Sequence, residues 1–174
     1  MTTKENINHI SIRPIKSTDE DQISKLYWQT FQYAFQKHLP PQSFKDPQTK
    51  KDLIQDLKEK LQTHVGFMAY DDSCACLGFV ILSPVPDDNT CTELDKLYIS
   101  PQAQGKGLGK LFLNFIKEYA QKQGISRLII WTLKNGPGRP FYEHFGATPS
   151  GKEALWVGNS HIVELILQVN SITP

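Results

Sequence analysis

Residues 100–111 of this 174-residue chain place three glycines between an apolar run and an amphipathic helix pattern. Gly105, Gly107 and Gly109 remove Cβ atoms where successive main-chain N–H groups would have to approach an anion. The helix predicted to begin there adds the positive end of its dipole. The segment therefore predicts a turn that binds a phosphate group.

Two common nucleotide-binding motifs do not fit this turn. The mononucleotide loop needs glycine at position 104 and a hydroxyl residue at position 111, where this chain has Gln104 and Leu111. The dinucleotide fingerprint would place its third glycine on Lys110. The ligand is expected to be phosphorylated, and neither motif identifies it.

Composition limits the classes of partner. The chain has 19 Lys and Arg against 18 Asp and Glu, so its net charge of +1 gives no long-range field for nucleic acid or an anionic membrane. No apolar run approaches the ~20 residues of a membrane helix, and the first residues lack the apolar core of a signal peptide. We expect one domain over residues 1–174, in the cytoplasm.

Three cysteines make an odd count, which favours a reducing compartment over a disulfide framework. The closely spaced Cys74 and Cys76 are interpreted as two positions on one face of a strand, because no second cluster accompanies them. No metal site is expected.

Hydrophobic periodicity predicts an α/β chain. Strands are predicted at residues 10–15, 65–70, 75–82, 92–99, 127–132, 154–157 and 162–169, and helices at about 19–35, 53–61, 108–123 and 137–145. Residues 94–132 form a strand, the glycine turn, a helix and a second strand. That second strand is apolar throughout its centre, which is typical of an interior parallel strand.

Two separated motifs resemble those of the GNAT superfamily of acyl-CoA-dependent N-acetyltransferases. One is Gln104-x-x-Gly107-x-Gly109 after the strand at residues 93–99, which is similar to the family's fourth strand and pyrophosphate turn. The other is residues 131–135 followed by Phe141-Tyr142 and Gly146, which is similar to its fifth strand and the following helix. Two departures are Gly138, where the family usually has alanine, and Pro140 beside the aromatic pair.

The resemblance implies a mixed central sheet of about seven strands with splayed fourth and fifth strands, and about four helices on both faces. It also implies acetyl-CoA as co-substrate. Lys106 and Lys110 would be either point charges near its 3′-phosphate or ordinary solvated surface. The residues implied to contact coenzyme A are Leu97, Tyr98, Ile99, Gln104, Gly105, Lys106, Gly107, Leu108, Gly109, Lys110, Asn135, Arg139 and Tyr142.

By the same resemblance, the N–H of Leu97 would stabilise the tetrahedral oxyanion. Glu93 would be the general base that deprotonates the acceptor amine. Asp95, on the same side of a regular strand, is an alternative base. A third possibility is that no residue acts as a dedicated base. Tyr142 would protonate the thiolate leaving group, and a position at a helix start would lower its pKa.

The acceptor is expected to be a primary amine of a small molecule or peptide. Aromatic and acidic residues near the first helix and the loop before the fourth strand would favour a cation with an apolar portion. The residues proposed to bind it are Tyr27, Trp28, Phe31 and Asp87. An equally good interpretation is that the aromatic residues are core and the aspartate lies on a solvated loop. A non-catalytic acyl-CoA-binding module and a transferase for another acyl group or acceptor remain alternatives. Similar proteins often dimerise through the last strands.

Overall fold

A computed structural model describes residues 10–155 and 160–169. The strands are β1 (Ser11–Pro14), β2 (Val65–Tyr70), β3 (Cys76–Pro84), β4 (Cys91–Ile99), β5 (Arg127–Leu133), β6 (Thr148–Leu155) and β7 (His161–Gln168). The helices are α1 (Glu20–Phe35), α2 (Gln42–Lys45), α3 (Pro47–Thr63), α4 (Leu108–Lys122) and α5 (Gly138–His144), with 3₁₀ turns at Ser17–Asp19 and Pro101–Ala103.

The described strands form one mixed sheet in the order β1-β2-β3-β4-β5-β7-β6. Every neighbouring pair is antiparallel except β4 and β5, which are parallel because α4 connects them across one face. The predicted α/β class and mixed seven-stranded sheet are confirmed.

Helices cover both faces of the sheet, which produces two apolar cores. The α4 side chains Phe112, Leu113 and Ile116 are fully buried in one of them. On the opposite face, α1 and α3 contribute the fully buried Ile23, Phe31 and Leu57. The periodic stripes of these helices are explained by this burial.

A partly buried ion pair fixes the start of α1. Arg13 donates two hydrogen bonds to the Asp19 carboxylate, at 2.6 and 2.8 Å, and the Lys16 N–H donates a third at 2.7 Å. The Arg13 guanidinium and this N–H lower the pKa of Asp19 despite its burial. These bonds hold α1 against β1.

Three elements differ from the prediction, and the first is α3, which begins at Pro47 rather than near Leu53 because its first turn is polar and shows no apolar period. The sixth strand begins at Thr148 rather than at Ala154, and its predicted end at residues 156–157 lies outside the described residues. Its eight described residues are all exposed, so no alternation of apolar residues marked them. The short α2 was also missed, because a single turn has too few residues to show a period.

No helix in the described ranges is both long and apolar enough to span a bilayer.

Candidate active site

A cleft of about 1510 Å³ opens in the sheet where β4 and β5 separate. The two strands pair only where residues 91–93 meet residues 127–129. Beyond Glu93 they diverge, and both remaining segments line the cleft. The predicted splay of the fourth and fifth strands is confirmed.

An irregularity in β4 accompanies this separation. Leu82 of β3 pairs with Leu94 and Ile81 pairs with Lys96, which leaves Asp95 as an extra residue in a β-bulge. Asp95 and Lys96 consequently reach the same side of the sheet, where both contact α3. The prediction of a regular strand is wrong at this residue.

The main chain of β4 beyond the bulge has polar groups that face the cleft. The Ser100 N–H donates to the Leu77 carbonyl of β3 at 2.8 Å. Because antiparallel residues alternate in direction, the N–H and C=O groups of Leu97 and Ile99 point to the opposite edge, toward the gap. The Ile99 carbonyl on this edge accepts from the Gln104 side chain, and the Leu97 groups and the Ile99 N–H are left for an extended ligand to pair with.

The glycine turn lies at the end of that edge. Gly105 and Gly107 have φ angles of +72° and +86°, a left-handed conformation that favours glycine. The turn is tied to β4 by a 2.9 Å hydrogen bond from the Gln104 side chain to the Ile99 carbonyl. Helix α4 begins at Leu108, so its first N–H groups have no partner within the helix.

Glycine is required at position 109 for a different reason from the one predicted. A Cβ atom at this position would lie 2.9 Å from the Phe141 ring, so glycine here permits α4 and α5 to pack closely. Gly138 is explained similarly, because a Cβ atom would lie 2.9 Å from the Thr132 hydroxyl oxygen on β5. Because even an alanine side chain would come too close to Thr132, this chain has glycine where the family usually has alanine.

Glu93 lines the cleft at the point where the two strands separate. Its side chain is half-buried, and this desolvation raises the pKa of its carboxyl group. The charge of Asp95 raises the pKa further, whereas the ammonium groups of Lys60 and Lys96 lower it. Glu93 is thus a carboxylate with increased proton affinity.

Asp95 has the opposite environment. It accepts hydrogen bonds from the Ser83 hydroxyl at 2.6 Å, from Lys60 and from Lys96 at 3.3 Å. Burial alone raises its pKa, but these groups outweigh burial and lower the pKa overall. Lys96 also lies 2.8 Å and Lys60 3.7 Å from Asp56, so two lysines and two aspartates form a closed ion quartet between α3 and β4.

Tyr142 also lines the cleft, with its ring packed edge-on against Phe141 at a centroid distance of 5.2 Å. Burial raises its pKa well above the ordinary value. The expected lowering by a helix start is wrong, because Tyr142 lies in the second half of the seven-residue α5 and is desolvated. Its phenol is therefore protonated at neutral pH.

Several predicted coenzyme A contacts do not line the cleft with their side chains. Leu108 is buried in the α4 core, and Lys106 and Asn135 are exposed. The Arg139 guanidinium donates to Glu143 at 2.8 Å and to the Lys134 carbonyl at 3.3 Å. The predicted residues that do line the cleft are Leu97, Tyr98, Ile99, Gln104, Gly105, Gly107, Gly109, Lys110 and Tyr142.

Of the predicted acceptor residues, the cleft includes Tyr27 alone, whose ring packs edge-on against Tyr98 at 4.7 Å. Phe31 is fully buried in the core and Trp28 stacks on it at 5.9 Å. Asp87 is an exposed loop residue with a φ angle of +61°. These three residues do not line the cleft: Phe31 and Trp28 pack in the core and Asp87 lies on an exposed loop, which agrees with the alternative interpretation of core aromatic residues and a solvated loop.

The sequence interpretation missed other residues on this side of the cleft. The missed lining residues include Thr30 and Ala34 of α1, Asp52, Asp56 and Lys60 of α3, Trp131 of β5 and Ile162 of β7. The α1 residues follow Tyr27 at helical spacing, which is a signal that could have found them. No group of three metal-binding side chains occurs in the described ranges.

Comparisons with known proteins agree with this geometry. Residues 21–147 match the Acetyltransferase (GNAT) family. A search of curated proteins by sequence finds no match. Among solved structures, a GNAT-family protein from Desulfovibrio desulfuricans has 16% identity and a TM-score of 0.70, with 92% of this chain and 99% of that chain covered.

Two further structures carry ligands. The PaiA N-acetyltransferase from Thermoplasma acidophilum, in complex with coenzyme A, has 19% identity and a TM-score of 0.69, covering 89% of this chain and 97% of that one. The spermidine/spermine N-acetyltransferase SpeG from Vibrio cholerae, in complex with manganese ions, has 14% identity and a TM-score of 0.64, covering 92% and 93%. At these identities the likeness shows the fold.

Proposed function

The chain belongs to the GNAT acetyltransferase family, and from this premise we propose that it transfers an acetyl group from acetyl-CoA to a primary amine of a small molecule or peptide. The observation that carries the proposal is the opening of the sheet beyond Glu93. It exposes a strand edge beside a glycine turn, and Glu93 and Tyr142 line the same cleft. Donor and acceptor would meet there in one ternary complex.

The donor would be held largely by main-chain groups. The N–H groups of the glycine turn and of the first turn of α4 suit a pyrophosphate. The free edge at Leu97 and Ile99 suits the amide groups of a pantetheine arm, which would add to β4 like a further strand. The Leu97 N–H would then stabilise negative charge on the thioester carbonyl oxygen.

Glu93 would act as the general base. An alkylamine with a pKa near ~10.4 is almost entirely protonated at neutral pH, so its attack requires loss of a proton. Glu93 has raised proton affinity, whereas the Asp95 carboxylate is occupied by Ser83 and two lysines. These environments favour Glu93 over Asp95 as the group that accepts the amine proton, directly or through water.

Tyr142 would complete the reaction as the acid. The amine nitrogen bonds to the acetyl carbon, the carbon–sulfur bond breaks, and the leaving thiolate takes the phenolic proton. An ordinary phenol would give this proton at a free-energy cost of about 2 kcal/mol to a thiolate with a pKa of ~8.5. The raised pKa of Tyr142 increases that cost, and it also ensures that the proton is present.

The acceptor side of the cleft supports an amine. Its lining includes the carboxylates of Glu93, Asp52 and Asp56 and the aromatic rings of Tyr27 and Trp131. Such groups favour a cation. SpeG, one of the structural neighbours, is a spermidine/spermine N-acetyltransferase, which makes small polyamines a reasonable first choice among acceptors.

The test is release of free thiol from acetyl-CoA with a panel of amines, amino acids and peptide amino termini. We expect Glu93→Gln and Tyr142→Phe each to reduce kcat by about a hundredfold or more. Asp95→Asn and Tyr33→Phe are matched controls, since they change a carboxylate and a phenol that also line the cleft. Both controls should retain most of the activity.

The outcomes separate the proposal from its rivals. Tight binding of acetyl-CoA without thiol release across the panel would indicate a non-catalytic acyl-CoA-binding module instead. Full kcat in both Glu93→Gln and Tyr142→Phe would refute the assigned roles while leaving acyl transfer intact. Faster release of thiol from a longer acyl-CoA than from acetyl-CoA would indicate that the longer acyl-CoA is the natural donor.

A further inference from the structure

A carboxylate on β7 is buried with little compensation for its charge. Glu164 is 4% exposed, and its Oε1 atom has no hydrogen-bond partner in the described part of the chain. The Lys152 ammonium group donates a long hydrogen bond of 3.5 Å to Oε2 and approaches Oε1 to 3.3 Å as an ion pair. Because the Lys152 side chain is 69% exposed, solvent weakens this attraction.

Stability alone does not explain such a group. A buried carboxylate needs several hydrogen bonds and a well-placed cation to offset its desolvation, and Glu164 has one long bond from an exposed lysine. Glu164 does not line the cleft either, so it does not bind a ligand there. Any function of its charge is therefore exerted through a neighbouring residue.

The register of the sheet places Glu164 on the same face as Glu93. Glu93 of β4 pairs with Ile129 of β5, and two residues further along β5, Trp131 pairs with Glu164. Paired residues, and residues two apart on one strand, point to the same face of a sheet. Strand β7 lies two strands from β4, which corresponds to about 10 Å at the usual strand spacing. Trp131, between the two carboxylates, lines the cleft.

The neighbours of Glu164 on β7 agree with this placement. Ile162, two residues earlier, lines the cleft. Val163 and Leu165, which alternate with Glu164, are buried in the core that includes the α4 side chains. The Glu164 carboxylate therefore lies on the face of the sheet opposite α4, on the β5 and β7 side of the cleft.

The charge of Glu164 reaches Glu93 from that side. Burial is the main cause that raises the pKa of Glu93, Asp95 raises it next, and Glu164 raises it further. The ammonium groups of Lys60 and Lys96 lower it. Glu164 thus acts on Glu93 from β7, whereas the other three charged groups belong to β4 and α3.

The same charge reaches Cys91, two residues before Glu93 on β4. Burial raises the pKa of the Cys91 thiol, Arg127 lowers it, and Asp88 and Glu164 raise it. Arg127 and Asp88 pair with each other at 2.7 Å, so their opposite effects partly cancel. The Glu164 carboxylate thus acts across β5 on two β4 residues of the same face.

We propose that Glu164 is a positioning residue that strengthens Glu93 as the general base, because its buried negative charge acts across β5 and favours transfer of the amine proton to Glu93. The inference rests on the proposed acetylation of amines and adds a residue that contacts neither substrate. The same charge makes the fold less stable than a neutral side chain would, so function and stability oppose each other at this position.

The first experiment follows the Glu93 carboxyl group directly, without catalysis. The side-chain carboxyl carbons of glutamate are isotopically labelled in the full chain for NMR, and the Glu93 signal is identified by its loss in Glu93→Gln. Glu164→Gln keeps the shape of the side chain and removes its charge. This variant should move the titration midpoint of Glu93 to lower pH by about half a unit, the size expected for a unit charge about 10 Å away with partial screening by salt.

The second experiment measures kcat against pH with saturating acetyl-CoA and the amine that the wild-type protein acetylates fastest. Glu93 must be ionised to act as a base, so a lower midpoint moves the acidic limb of the profile to lower pH. We expect the limb of Glu164→Gln to move by about half a unit. Relative to its own plateau, the variant is then about threefold faster than wild type below the limb. KM for acetyl-CoA should be unchanged.

Glu153→Gln is the matched control. Glu153 lies on the neighbouring β6, is exposed and accepts a hydrogen bond from Lys134 at 2.8 Å, so its replacement should leave both the NMR midpoint and the acidic limb in place. Unfolding in urea provides a further readout. Glu164→Gln should be at least as stable as wild type at neutral pH, since it removes a poorly compensated buried charge.

The outcomes are distinguishable. An unchanged Glu93 midpoint in Glu164→Gln would overturn the inference, and so would an equal shift in Glu153→Gln. A shifted midpoint with an unmoved acidic limb would refute the role of Glu164 in catalysis. A wild-type protein that acetylates none of the amines would instead refute the proposed function, on which the NMR titration does not depend.

Discussion

The two sides of the cleft use different parts of the chain, with main-chain groups on one side and side chains on the other. The side proposed to bind the donor, named the donor side, consists largely of main chain, namely the edge of β4 at residues 97–99, the glycine turn and the start of α4. The side proposed to bind the acceptor, named the acceptor side, consists of side chains from α1, α3 and β4, which include aromatic rings and a network of four charges. A main-chain site depends on backbone conformation, whereas a side-chain site depends on which residues the packing brings together.

This difference predicts different responses to substitution. On the donor side, only changes that alter backbone conformation should matter, because any residue supplies the same N–H groups. On the acceptor side, replacing one charged residue removes half of the compensating charge from its buried partner. The acceptor side should therefore show the larger losses of stability, and the donor side should show selective effects on acetyl-CoA.

The largest effect is expected from Lys96→Met. The Lys96 side chain is only 9% exposed and holds both Asp56 and Asp95, which are carried by α3 and β4. Its removal leaves the buried Asp95 with a single cation, and we expect the free energy of unfolding to fall by about 3 kcal/mol. Denaturation in urea measures the change.

Lys58→Met is the matched control, since Lys58 lies on α3, the helix that carries Asp56, and pairs with Glu20 at the surface. Exposed ion pairs contribute little, so this variant should unfold close to the wild-type midpoint. If Lys96→Met is no more destabilising than Lys58→Met, the acceptor side is not held together by its charges.

The next largest effect is expected from Gly107→Ala on the donor side. Gly107 has a φ angle of +86°, and alanine in a left-handed conformation is strained by roughly 1–2 kcal/mol. Relief of this strain would displace the N–H groups at the start of α4. We expect KM for acetyl-CoA to rise about tenfold, while KM for the amine stays the same.

Gly124→Ala carries equivalent strain away from the cleft. Gly124 follows α4 with a φ angle of +74°, and a Cβ atom there would meet nothing within 4 Å. This variant should lose similar stability and keep its KM for acetyl-CoA. An equal rise in KM for both variants would mean that the effect is general loss of stability, and that Gly107 has no special part in binding the donor.

The same division explains how much of the molecule could be predicted from sequence. Gly105 and Gly107 could be predicted because their left-handed conformation strongly favours glycine, and the splay of β4 from β5 followed from the family motifs around them. The reason for Gly109 was predicted incorrectly. Glycine is required there by the ring of Phe141, which lies 32 residues later in the sequence.

The residues of the acceptor side could not be predicted from the sequence in this way. Thr30 and Phe31 are adjacent and both are buried, and only the orientation of α1 decides that the first lines the cleft and the second enters the core. The bulge at Asp95 could not be predicted either, because the alternation of apolar and polar residues in a strand does not indicate where an extra residue is inserted. Both features arise from packing between distant segments.

The smallest effect concerns pH and acts where the two sides meet, at Glu93. As a base, Glu93 must be ionised, so kcat falls as the pH decreases through its pKa, which burial raises above the ordinary value of about 4.3. The charged groups that influence it are Asp95, Lys60, Lys96 and Glu164. The plateau of activity at higher pH should be unaffected by small changes in this pKa.

Lys60→Met and Asp95→Asn should move the acidic limb of the kcat profile in opposite directions. Lys60 lowers the pKa of Glu93, so its loss moves the limb to higher pH, and Asp95 raises that pKa, so its loss moves the limb to lower pH. Circular dichroism across the same pH range establishes that each variant remains folded. Since a purely structural contribution of the quartet would shift both profiles in the same direction or neither, opposite shifts identify the ion quartet as the feature of the acceptor side that sets the proton affinity of Glu93.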